Sequence, residues 1–164
     1  RTSLTVRYYG MIVAHIGVAV TVIGITLTSA YSEEKDVAVT LHQQVAVGPY
    51  QIALVGLADL HGPNYQGVSG EFWVTGSYGQ SLSLLAEKRL FMISHSVMSI
   101  PAIDVGFWRD VYVALGDPLP GDRFGVRYYY KPFVRWIWFG GLLMVLGGLL
   151  ALRGTKPMKD KSDA

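Results

Sequence analysis

Two long apolar runs, separated by about 100 residues, constrain the fold more than any other feature of this chain. The first is Tyr9–Tyr31, YGMIVAHIGVAVTVIGITLTSAY, 23 residues that hold no Asp, Glu, Lys or Arg. At about 1.5 Å per residue a helix of that length crosses the ~30 Å hydrocarbon core of a bilayer with some tilt. Tyr8, Tyr9 and Tyr31 stand at its ends, where interfacial aromatic belts lie. The second run is Pro132–Leu152, PFVRWIWFGGLLMVLGGLLAL. Pro132 suits a first helical turn, where the missing N–H costs nothing. Trp136 and Trp138 suit the membrane interface, and Arg135 can snorkel to the headgroups. Charged residues make up only 16% of the chain and hydrophobic ones 51%. A soluble domain carries roughly 25% charged residues, so composition also points to lipid.

Orientation follows from the short flanks. Before the first run stand Arg1 and Arg7 with no acid; after the second stand Arg153, Lys156, Lys159 and Lys161 against Asp160 and Asp163. The intervening segment holds seven basic and ten acidic residues. Short basic flanks stay cytoplasmic. The expected organisation is therefore a cytoplasmic flank over 1–8 and a transmembrane helix over 9–31. An extracytoplasmic domain follows over 32–131, then a second transmembrane helix over 132–152 and a cytoplasmic basic tail over 153–164. In a bacterium the middle domain faces the periplasm.

That domain reads as β. Val37–Leu41, Gln51–Val55, Glu71–Thr75, Ser81–Leu85, Val111–Leu115 and Phe124–Tyr130 alternate or run apolar over strand lengths. Gly48-Pro49, His61-Gly62-Pro63-Asn64 and Ser77-Tyr78-Gly79 supply turns between them. About six short strands at this spacing predict a small sandwich or barrel. The last strand runs directly into Pro132, which predicts a domain held close to the membrane. The fold class expected is integral membrane α+β, two transmembrane helices flanking a small, mostly β, barrel- or sandwich-like periplasmic domain. A chain that opens on Arg1 without a leader pattern is expected to be a segment of a longer, polytopic one.

His15 is the sharpest chemical feature, since an ionisable side chain inside a membrane helix is costly and marks function by default. Val18, Ala19, Val22 and Thr26 follow it on one helical face, smooth and mostly apolar, which a flat macrocycle would accept. Gly10, Gly17 and Gly24 recur every seven residues on the opposite face and suit close helix approach. The plainer alternative, that His15 only hydrogen-bonds a neighbouring helix, stays open. A haem iron on His15 usually wants a second axial ligand. The second run offers only Met144, which reads as a packing residue. His42, His61 and His95 share no metal-ligand spacing and read as ordinary surface or turn histidines. Gly140-Gly141 and Gly147-Gly148 read as a helix-packing face, not a nucleotide loop. Trp108-Arg109-Asp110 and Tyr128-Tyr129-Tyr130 are candidates for a partner surface, although core and interface aromatics are the simpler reading. There is no cysteine, hence no disulfide, no thiolate metal site and no CxxCH haem attachment within this chain. The basic residues are too few and too scattered for nucleic acid.

Three stretches carry a family resemblance. They are Tyr9-Gly10-Met11-Ile12-Val13-Ala14-His15-Ile16-Gly17; Ala102-Ile103-Asp104 continuing through Asp110–Asp117; and Tyr130-Lys131-Pro132-Phe133-Val134-Arg135-Trp136-Ile137-Trp138 continuing into Gly140-Gly141-Leu142. In order and layout they resemble the C-terminal part of the cytochrome c maturation protein F (CcmF) family, membrane subunits of the bacterial cytochrome c haem lyase. The resemblance implies a place in the bacterial inner (cytoplasmic) membrane. It implies receipt of haem from a periplasmic haem chaperone and support for its covalent attachment to the CxxCH thiols of apocytochrome c. The implied partners are that chaperone, apocytochrome c, thiol-handling maturation subunits and membrane lipid. It also implies a b-type haem within the membrane that keeps the delivered iron reduced, with His15 as one axial ligand by its place in the motif. The second ligand, the periplasmic haem-binding histidines and the Trp-rich segment of the family would lie upstream of this chain, so the segment alone is expected to be inactive. Ser96–Pro101 and His95 depart from the family pattern. Two rival readings remain: a non-enzymatic, membrane-anchored β module that binds a protein partner, and a transporter fragment in which His15 relays protons.

Overall fold

A computed structural model describes residues 6–76 and 79–153. Two apolar helices enclose the β strands in sequence, α1 Val6–Tyr31 and α2 Val134–Arg153. The two helices form one compact unit and residues Tyr31–Pro132 form the other.

In the helical unit, Gly10, Gly17 and Gly24 of α1 and Gly140 and Gly147 of α2 are buried. They face one another. A Cβ added to Gly17 would stand 2.6 Å from the Gly140 carbonyl oxygen and 2.7 Å from the Met144 nitrogen. One added to Gly147 would stand 2.6 Å from the Gly10 oxygen. Only glycine permits this backbone-to-backbone contact. The glycine face of α1 thus finds its partner in α2 of the same chain. Outside the seam many large apolar side chains are exposed, including Met11, Ile16, Val22 and Ile25 on α1 and Leu142, Val145 and Leu149 on α2. A helix apolar all round belongs in lipid or in a larger bundle. The helix limits differ slightly from the apolar runs: α1 takes in Val6–Tyr8, and Pro132 ends the last strand instead of opening α2. Phe133, at φ +59°, makes the turn between them, and its carbonyl accepts from the Trp136 N–H at 3.0 Å.

The second unit is a two-sheet antiparallel sandwich. Its strands are β1 Glu33–Val39, β2 Gln44–Val47, β3 Tyr50–His61, β4 Tyr65–Gly76, β5 Ser81–Phe91, β6 Ser96–Ile100, β7 Ala102–Val105, β8 Arg109–Leu119 and β9 Arg123–Pro132. One sheet has the order β1-β9-β8-β7, the other β2-β3-β4-β5-β6. The six segments expected from sequence fall within β1, β3, β4, β5, β8 and β9, save that Thr40 and Leu41 lie past the end of β1. The sequence reading omitted β2, β6 and β7, each five residues or fewer. Of the Ser77-Tyr78-Gly79 turn, Ser77 and Tyr78 lie outside the described residues.

Alternate residues of both sheets meet between the layers, as the period of two requires. Ile52, Leu54, Phe72 and Val74 from one sheet and Val111, Val113, Leu115 and Tyr128 from the other are almost wholly buried. Phe72 meets Tyr128 edge-on at 6.2 Å. Gly48 (φ +54°) lies under the Tyr130 ring, where a Cβ would come within 3.0 Å of it. Bulges interrupt β3 between Leu54 and Gly56 and β8 between Leu115 and Pro118. Pro118 follows the second bulge in register with Phe124, beyond the stretch of β8 that β7 pairs, and such an edge position tolerates proline.

Candidate functional site

Among the described residues His15 is the only helical histidine, and the structure shows which of its nitrogens is engaged. Its Nδ1 lies 2.7 Å from the Met11 carbonyl oxygen, one turn earlier. A carbonyl only accepts, so Nδ1 carries the proton and donates. In the neutral ring this bond leaves the lone pair on Nε2, the arrangement found when a second partner orients a ligating histidine. Sequence spacing offered the i−4 carbonyl but not its use, because the choice rests on the side-chain rotamer.

His15 is exposed on α1, off the glycine seam. Two concavities flank it. One, of about 520 Å³, is lined by Arg7, Tyr8, Gly10, Met11, Ala14, His15, Gly147, Gly148 and Ala151. The other, of about 370 Å³, is lined by Met11, Ile12, His15, Ile16 and Ala19. The first is floored by small residues of both helices, and a Cβ on Gly148 would meet nothing within 4 Å. A free imidazole nitrogen beside a smooth apolar groove fits one axial ligand of a planar macrocycle. Val18, Ala19, Val22 and Thr26 are exposed on the same side of α1. The Thr26 hydroxyl donates to the Val22 carbonyl at 2.8 Å, so that face presents methyl groups outward.

Met144 does not join this site. Its Cγ would stand 2.9 Å from a Cβ on Gly17, so the side chain fills the seam on the other face of α1. His42 and His95 occupy turns at φ +63° and +49°, and His61 ends β3. Among the described residues no group of three His, Cys, Asp or Glu is placed to hold a metal ion.

In the sandwich, polar groups brace strands. Arg127 of β9 makes a bidentate pair with Asp36 of β1, both bonds at 2.6 Å. The hydrogen bond from Arg127 holds the Asp36 carboxyl below its ordinary pKa. Arg109 bonds Asp104 and donates to the Tyr50 hydroxyl at 2.6 Å. Burial opposes the charge on Arg109, but the bonds to Asp104 and Tyr50 outweigh it and raise the guanidinium pKa. From sequence the Trp108-Arg109-Asp110 stretch is a candidate partner surface, with a core or interface place as the simpler reading; the Arg109 partner Tyr50 lies 59 positions away and gives no signal.

Comparison with known proteins agrees with this architecture. A family model described as the CcmF C-terminal beta-sandwich matches residues 30–132. The chain is 47% identical over 149 residues to a cytochrome c-type biogenesis protein CcmF of Pseudomonas aeruginosa, covering 91% of this chain and 23% of that protein. It is 44% identical over 151 residues to the CcmF of Escherichia coli, covering 92% of this chain and 23% of that one. A cytochrome c-type biogenesis protein NrfE of Haemophilus influenzae is 33% identical, with 97% and 25% covered. Among solved structures, one titled cytochrome c heme lyase CcmF shares the fold at a TM-score of 0.68 and 20% identity, over 90% of this chain and 25% of that one. The chain therefore spans about a quarter of the length of these relatives.

Proposed function

Because the chain belongs to the CcmF C-terminal beta-sandwich family, we propose that it is the C-terminal part of a cytochrome c haem lyase. In this reading α1 supplies one axial ligand of a membrane b-type haem through His15. The observation that carries the ligand role is the hydrogen bond from His15 Nδ1 to the Met11 carbonyl. It fixes the ring and leaves Nε2 as the only nitrogen available to iron. Two helices long and apolar enough to cross a bilayer, together with the CcmF relatives, make this a membrane protein. Residues 9–31 and 132–152 cross the bacterial inner membrane. On the strength of the short basic flanks, residues 1–8 and 153–164, of which 1–5 and 154–164 lie outside the described residues, are assigned to the cytoplasm and 32–131 to the periplasm.

A b-type haem held here supplies one-electron chemistry, which suits a lyase whose incoming haem must be ferrous for thioether formation. The chain's own residues do three things. His15 holds the ligand nitrogen, the Gly10, Gly147, Gly148 and Ala151 groove gives a dry, flat surface, and the glycine seam fixes α1 against α2. The second axial ligand and the covalent chemistry would come from the rest of the protein. The proposed partners are a periplasmic haem chaperone, apocytochrome c and thiol-handling subunits, with lipid around the helices.

The test is the optical spectrum of the full-length protein, oxidised and dithionite-reduced, with His15→Ala and His15→Gly. Loss of b-type bands in a folded His15→Gly protein, restored by added imidazole, is the expected result. Unchanged bands in both variants would remove His15 from the haem and leave a partner-binding β module as the better account.

A further inference from the structure

The Trp108-Arg109-Asp110 stretch resolves into two inward groups and one outward one. Arg109 is spent on Asp104 and Tyr50, and Asp110 is 5% exposed, its Oδ1 accepting from the Gly106 N–H at 3.1 Å. The same N–H reaches the Arg109 carbonyl at 2.9 Å and closes the β7–β8 hairpin. These bonds hold a tight tip that carries Phe107 and Trp108. Their rings meet edge-on at 5.2 Å, yet they are 51% and 60% exposed. Two large aromatics at the end of a braced hairpin are not core.

Register shows which end of the sandwich bears the tip. Arg109 pairs with Pro132, the last residue of β9, and Glu33, the first of β1, pairs with Tyr130. The chain therefore enters the sandwich from α1 and leaves it for α2 at the end that carries Phe107 and Trp108. Tyr31 and Phe133 are the residues through which it passes to the two helices. Next to the tip, Lys131 pairs in register with Asp110, with its ammonium 5.3 Å from the Tyr129 ring.

We propose that the β7–β8 tip is a third membrane anchor. Phe107 and Trp108 enter the interfacial layer of the bilayer, and Lys131 meets anionic phospholipid headgroups. Indole and phenyl rings favour that layer, and a lysine beside them suits phosphate. The anchor would give the sandwich a fixed seat on the membrane besides its two covalent links. This rests on the helices spanning the bilayer, and on nothing about haem.

The experiment places the photo-crosslinker p-benzoylphenylalanine at position 107, and separately at 108, in the full-length protein in native membranes. After irradiation the adducts are read by mass spectrometry. Position 138 on α2, 78% exposed, reports lipid contact of the helices, and position 73 on β4 reports the open sandwich face. Phospholipid adducts at 107, 108 and 138 with none at 73 are expected. Adducts at 138 but none at 107 or 108, or protein adducts in place of lipid at the tip, overturn the anchor while leaving the membrane reading intact. Absence of lipid adducts at 138 as well overturns both.

Discussion

A single hydrogen bond decides what His15 can do. With Nδ1 donating to the Met11 carbonyl, the proposed haem contact falls to Nε2, so a substitution that keeps a ligand but loses the Nδ1 brace should bind haem loosely. His15→Met is expected to retain some haem with a shifted spectrum, where His15→Ala retains less; equal spectra for the two would show that position 15 is not a ligand. In the sandwich, Tyr128 is fully buried with no hydrogen-bond partner for its hydroxyl among the described residues, and burial pushes its pKa up. Removing a buried hydroxyl that bonds nothing spares its desolvation cost. Tyr128→Phe should therefore be neutral or stabilise by up to about 1 kcal/mol, read as an equal or higher Tm. A clear fall in Tm would reveal a partner for the hydroxyl. Asp36 gives a pH dependence. Its folded pKa lies below the ordinary value, so its contribution is complete above the ordinary carboxylate range and fades as pH falls through the depressed value. The pair with Arg127 is exposed, so the effect is small and weakens with salt. Asp36→Asn should flatten the acid limb of a Tm–pH curve slightly and leave neutral stability almost unchanged.

At the scale of elements, the diglycines of α2 divide by role. Gly140 and Gly147 touch the α1 backbone, whereas a Cβ at Gly141 or Gly148 meets nothing within 4 Å. Gly141→Ala should be tolerated and can gain about 0.5–1 kcal/mol of helix propensity. Gly140→Leu must push the helices apart, at roughly 1–3 kcal/mol, visible as a lower Tm of the membrane-embedded protein. Gly148→Leu is the informative one. It leaves the seam alone but fills the groove beside His15, so it should lower haem content in a protein of unchanged Tm. Equal haem content would place the macrocycle on the other side of His15, over Ile12, Ile16 and Ala19. The short strands follow a different logic. β2 and β6 are the edges of one sheet and β7 of the other, and an edge strand buries too little to write a long alternating pattern.

For the whole molecule, two units with different solvents share one chain. The helical unit has a glycine seam and an apolar outside; the sandwich has an inside of its own, closed by Phe72, Tyr128 and the valines around them. Amide exchange should follow that division. The interior strands β3, β4, β5, β8 and β9 are expected to exchange slowest, and the edge strands β1, β2, β6 and β7 fastest. Uniform exchange across the sandwich would mean that its sheets open together.

Sequence alone determined the helix–β–helix order, because spans and strands are written in local periods that no tertiary contact is needed to read. It also marked His15, since a lone ionisable group in an apolar run stands out by contrast. The heptad glycines announced a packing face, and the resemblance over Tyr130–Leu142 pointed to the family that the comparisons support. Tertiary structure decided the rest. It made α2 the partner of the α1 glycines, although two separate runs cannot name each other in sequence. It chose two sheets over a closed barrel, because closure depends on which edges pair across the whole domain. It turned Arg109 and Asp110 inward and left Phe107 and Trp108 outward. Such choices depend on contacts such as Arg109 with Tyr50, set by residues far apart in the chain and brought together only when the sheets pack.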